Sequence, residues 1–156
     1  MSIYAAANKG FSLVELLIAT AILGIVMSVG IPAYQGYVET AQMTKVSAAY
    51  DFSVRLAQQT YSKDTSRMAL GLNSEIPAST SDWLALFDKD GDSLAPGGGP
   101  LYISGRPRRR SVSETGAINI RYNLRKQRLE IYRPNYKRLV AYRARITSHE
   151  TELDEW

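Results

Sequence analysis

The sequence predicts an α+β protein: a long N-terminal helix, apolar in its first half, whose second half packs on a three- to four-stranded antiparallel sheet. Three observations carry that expectation. Residues 11–31 are 21 in number and hold one ionisable side chain, Glu15; as a helix rising about 1.5 Å per residue they are long enough to cross a hydrocarbon core. Val46, Tyr50, Val54, Ala57 and Tyr61 then recur at spacings of 4, 4, 3 and 4, which puts one apolar face on a continuing helix. From residue 117 onward, apolar and polar residues alternate in short runs, the period of half-buried strands.

Composition narrows the chemistry. The 156 residues include no cysteine and one histidine, His149. Thiol catalysis, iron–sulfur clusters and cysteine-ligated zinc are therefore excluded, and a histidine metal site or a Ser-His-Asp triad is disfavoured. No nucleophile–base pair is evident, so the chain reads as a non-enzyme. The net charge of +4 conceals an asymmetry: residues 106–145 carry 13 Lys or Arg against Glu114 and Glu130, while the last seven residues carry four acids.

At the start of the helix, an oily run opens on Lys9-Gly10 and contains Glu15. A secretory signal would have a shorter apolar core and no internal acid. A plain anchor explains the length but not the acid, which costs about 2.5–3.5 kcal/mol within a bilayer. Cleavage between Gly10 and Phe11 would explain both, because Phe11 would then carry a new ammonium group four residues before Glu15. Helices packed side by side could pair each Glu15 with a neighbour's amine, neutralising both charges and fixing register.

At these residues the chain resembles the type IV pilin family. The matching elements are Lys9-Gly10, Phe11-Ser12, Glu15, the apolar run with Gly24, then Pro32-Ala33-Tyr34-Gln35 and Tyr37. The likeness covers roughly residues 8–45. It implies that residues 1–10 are a leader removed by a prepilin peptidase, with Lys9, Gly10 and Phe11 forming the processing site. It also implies N-methylation of Phe11 and a role for Phe11 and Glu15 in assembly. Lys9 agrees with a cytoplasmic N-terminus.

The helix is expected over residues 11–62, with 11–31 in the membrane or the core of a filament. Pro32 removes a backbone donor and is expected to bend it, and Gly24, Gly30 and Gly36 each weaken it by about 1 kcal/mol relative to Ala. Two readings stand for this zone: local melting during assembly, or close helix–helix approach.

Residues 63–100 read as an irregular region holding a short helix near 81–87, with Trp83, Leu84 and Phe87 inward. Asp88, Asp90 and Asp92 alternate as at the front of a calcium loop, although Ser93 and Gly99 replace the glycine and glutamate such a loop requires. A calcium ion completed by distant carbonyls and a solvated acidic turn are both open readings; no cofactor is required. In residues 101–156, strands are expected at 101–103, 117–124, 129–133 and 139–147, followed by an acidic tail. Paired C-terminal cysteines, common in the family, are absent, so the tail lying against basic strands is the expected fastening.

Arg106, Arg108, Arg109, Arg110, Arg121 and Arg125 are the residues that would meet DNA or another polyanion, against a reading as solvated or subunit-contact side chains. The leading expectation is a structural subunit of a type IV pilus, polymerised with itself and other pilins from the inner membrane to the cell surface by way of the prepilin peptidase/N-methyltransferase and an inner-membrane assembly platform. The alternatives are a pseudopilin of type II secretion and a minor pilin whose basic head takes up DNA.

Overall fold

The computed structural model describes residues 10–108 and 112–155. One helix, α1 (Leu13–Ala69), and a shorter one, α2 (Thr80–Phe87), precede five strands: β1 (Tyr102–Ser104), β2 (Ile118–Asn123), β3 (Arg128–Arg133), β4 (Tyr142–Ile146) and β5 (Thr151–Glu155). The chain divides into two units between Val38 and Glu39.

In the first unit α1 is helical through Pro32. Among the described residues nothing within 4 Å would meet a Cβ added at Gly24, Gly30 or Gly36, so a side chain at these positions would meet open space there.

The second unit has a single core. The predicted face of α1 is the buried one: Val46, Tyr50, Val54, Ala57 and Tyr61 are all shielded from solvent. They meet Ile118, Ile120, Leu129, Ile131, Ala144 and Ile146 from alternate positions of β2, β3 and β4. Trp83 fills the gap between helix and sheet, with ring centroids 5.7 Å from Tyr61 and 5.8 Å from Phe87. Gly116 lies where the chain crosses α1. Its φ is +75°, and a Cβ there would stand 2.9 Å from Val46 Cγ2, so a side chain would be both strained and obstructed.

α1 extends seven residues past the expected end at 62. It closes with Leu72 N donating to Arg67 O at 3.1 Å and Gly71 N donating to Met68 O at 3.0 Å, Gly71 having φ +77°. That is a Schellman cap. Asp64, buried on the extended turn, accepts from Glu75 N at 2.7 Å and Ser74 Oγ at 2.9 Å. The polar composition of residues 63–69 suggested a loop because Ser, Thr and Asp compete with helix locally; here one of them, Asp64, instead ties the following loop to the helix. α2 is capped by Ser79 in a capping box with Asp82, and Trp83 and Phe87 are buried.

The sheet corrects the expectation in two respects. It has five strands in the order β1-β2-β3-β4-β5, and β1 pairs with β2 in parallel rather than antiparallel fashion. The remaining pairs are antiparallel. The fifth strand is the acidic tail, whose edge position lets Glu152 and Glu155 face water. Leu124, the last residue of the strand expected over 117–124, is instead exposed in a 3-10 turn that links β2 to β3.

Candidate functional site

Glu15 stands at the start of α1, and its Oε2 accepts from Ser12 N at 3.3 Å. Ser12 precedes the first helical residue and Glu15 is the third, so Ser-Leu-Val-Glu supplies the glutamate arm of a capping box. This local use was readable in the S-x-x-E spacing and sequence reasoning missed it. Phe11 and Gly10 are exposed beside it; Lys9 lies outside the described residues. Beyond Glu15, every residue of the apolar window is uncovered, and by length and composition this helix can cross a membrane. Large side chains such as Leu13, Ile25 and Val29 are 70% exposed or more. Such a surface in water would be a strong drive to association or membrane insertion.

The described polyanion candidates lie on β2 and on the loops at its two ends. Arg121 lies 3.7 Å from Glu130, on the outer face of β2. Arg125 is exposed in the turn after β2, and Arg106 and Arg108 are exposed in the β1–β2 connection. Arg109 and Arg110 lie outside the described residues. Much of the remaining basic segment is engaged by acids of its own chain. Arg143 pairs with Asp154, Arg145 with Glu152 at 2.7 Å, and Arg128 with Glu130 at 2.5 Å. Arg133 bonds Ser47 Oγ at 3.1 Å and lies 4.8 Å from the Tyr142 ring centroid. The strand arginines thus fasten the sheet, and the acidic tail is fastened by them.

Glu130 was not singled out from the sequence, yet it is the most integrated carboxylate of the head. It is 4% exposed and accepts from Tyr132 Oη at 2.7 Å as well as from Arg128. Burial alone would raise its pKa, but the Tyr132 and Arg128 hydrogen bonds and the charges of Arg128 and Arg121 outweigh that and hold it below the usual range. Arg128 and Tyr132 share its face of β3 at i−2 and i+2, and the β2–β3 register adds Arg121 opposite it. Asp154 is likewise held low, chiefly by its bond with Arg143. Tyr50, beneath Arg133, is pushed up to about 12 by burial.

Asp88, Asp90 and Asp92, for which a calcium ion and a solvated acidic turn are both open readings, follow α2 directly. Among the described residues no group of three or more acidic or histidine side chains is arranged to hold a metal ion. Asp88 instead accepts from Ser93 N at 3.1 Å, and Asp90 and Asp92 point to solvent.

Comparison with known proteins falls on the N-terminal segment. Residues 6–31 match the family described as the prokaryotic N-terminal methylation motif. A type IV major alpha-pilin of Moraxella bovis is 51% identical over 41 residues, 26% of each chain. A fimbrial protein of Moraxella nonliquefaciens is 44% identical over 45 residues, 29% of each chain. A type IV major fimbrial protein FimA of Dichelobacter nodosus is 47% identical over 39 residues, 25% of each chain. The chain therefore spans about a quarter of the length of the curated relatives it matches. No solved structure matches it. In its methylation motif, its apolar helix and this identity, the N-terminal quarter of the chain is similar to that of type IV pilins.

Proposed function

We propose that the whole chain is a structural subunit of a type IV pilus. It is inserted in the inner membrane with its N-terminus cytoplasmic, cut after Gly10 by a prepilin peptidase, methylated on Phe11 and passed by an assembly platform into a helical homopolymer. The observation that carries this reading is the uncovered apolar segment with one acid, the fifth residue after the proposed cut. A membrane covers that surface before assembly and neighbouring helices cover it afterwards. The charge of Glu15 then has a partner of opposite sign in the new amine of Phe11 on the next subunit, which makes burial tolerable and sets register. Ser12 N is its partner in the uncut chain, and a charged amine is the stronger competitor.

Mass spectrometry of chain recovered from filaments tests the processing step. The expected N-terminus is N-methylated Phe11, dependent on an active prepilin peptidase. Filaments built from chain retaining Met1 would overturn the reading.

A further inference from the structure

Two exposed features of the head carry opposite charge and sit at opposite ends of β2. One is the loop after α2, where Asp88, Asp90 and Asp92 outnumber Lys89 and lead into Leu94, which is 59% exposed. The other is the turn after β2, where Leu124, 65% exposed, is followed by Arg125 and Lys126. No acid of the described residues pairs with either cation, and each feature carries a local charge of magnitude two. Each also presents one large aliphatic side chain.

Their separation follows along three elements, β2, α1 and α2. The acidic loop is tied to the beginning of the β1–β2 pair, since Leu101 N donates to Ser93 O and Ile118 N to Leu101 O, both at 2.7 Å. The basic turn closes the far end of β2, six residues or roughly 20 Å away. Along α1, Tyr102 Oη beside the acidic loop bonds Ala49 O at 3.2 Å, and Tyr61 Oη bonds Gln127 O of the basic turn at 3.3 Å. Those helix positions differ by twelve residues, about 18 Å of rise. α2 runs between the same two levels, from Thr80, whose Oγ1 accepts from Tyr122 N, to Phe87 against Tyr102. The two features therefore cannot neutralise one another within one head, and they are displaced along the direction of α1.

We propose that they meet between copies: the Asp90–Leu94 loop of one head docks on the Leu124-Arg125-Lys126 turn of another. The occupant of each surface is a second copy of this chain. Such a contact is heterologous and repeats without closing, as a fibre of parallel helices requires. Opposed charge would select the axial offset, and the two leucines would be shielded from water at its centre. The proposal rests on the filament reading and adds the head surface that joins successive subunits.

The chain has no cysteine, which permits a direct test in a host with a pilus-assembly apparatus and no major pilin of its own. The full chain carrying both Asp92→Cys and Lys126→Cys should yield filaments that, under oxidation, run as a reducible ladder of dimers and higher multimers. Either single variant should give no ladder. A bond within one chain is excluded, because the two positions are far beyond disulfide reach. Filaments that stay monomeric on oxidation would overturn the proposal. If the double-cysteine chain does not assemble, charge reversal decides. Arg125→Glu with Lys126→Glu should lower sheared filament yield roughly fivefold or more, and adding Asp90→Lys with Asp92→Lys should restore it. No restoration would overturn the proposal. Wild-type filaments with either negative result would leave the pilus reading standing, whereas wild-type chain retaining Met1 and forming no fibre would overturn both.

Discussion

The first 29 described residues and the head beyond Glu39 use apolar side chains in opposite ways. In the helix before Val38 the large aliphatics are exposed and find no cover among the described residues. In the head, one face of the same helix is buried to a few per cent exposure against the sheet. The recognisable relatives match only about a quarter of the chain, and the family motif lies in the first of these regions. The difference teaches what constrains each part. A segment covered by other molecules must present the same surface in every copy, whereas a head that covers its own core needs only a consistent pattern, which many sequences satisfy.

Substitutions should separate the two regions cleanly. The largest effect is expected at Glu15. Glu15→Ala should leave cleavage and head stability intact and abolish most filament yield, since removing one member of an apolar ion pair costs about 3–5 kcal/mol. Glu15→Gln sharpens this, because it can keep the hydrogen bond to Ser12 N but not the charge. Filament yield should fall as far as in Glu15→Ala, measured by shearing and sedimentation; normal yield would reduce Glu15 to a helix cap.

The converse variant is Trp83→Ala, expected to destabilise the head by about 3–5 kcal/mol, read as a lower denaturant midpoint. The N-terminal segment should remain a substrate for processing. An unchanged midpoint would break the claim that Trp83 joins helix, α2 and sheet.

Third comes Glu130→Gln, expected to cost about 1–3 kcal/mol at neutral pH, the penalty for disturbing a buried charge-assisted network. The sign of its pH dependence follows from a folded pKa below the unfolded one. The contribution of Glu130 is full above the usual carboxylate range and fades as pH falls through its lowered value. Stability of the wild type should therefore drop faster than that of Glu130→Gln on acidification, and parallel curves would refute the assignment. The smallest effect is Asp154→Asn. It should remove about 0.2–1 kcal/mol, lost equally in high salt, and loosen the amides of β5 to hydrogen exchange before those of β3.

Much of this could be read without coordinates because local periodicity and burial coincide. The 4-4-3-4 spacing from Val46 to Tyr61 gave the core face of α1, and alternation gave β2, β3 and β4 to within a few residues. The end of α1 was missed because polar composition hid a glycine cap at Gly71, and β5 was missed because its acids carry no apolar alternation. At the N-terminus, the S-x-x-E cap is present in the letters, and the same acid that poses the charge question closes the cap.

What the sequence determined by itself was therefore the apolar segment with its one acid, the buried helical stripe and the alternating strands, all fixed by periods of a few residues. Tertiary structure alone decided the parallel pairing of β1, the placing of Arg121 of β2 beside Glu130 of β3, and which arginines, Arg143 and Arg145, hold the acidic tail. Those arrangements depend on which strands become neighbours and in what register, and residues far apart in the chain leave no local trace of that choice.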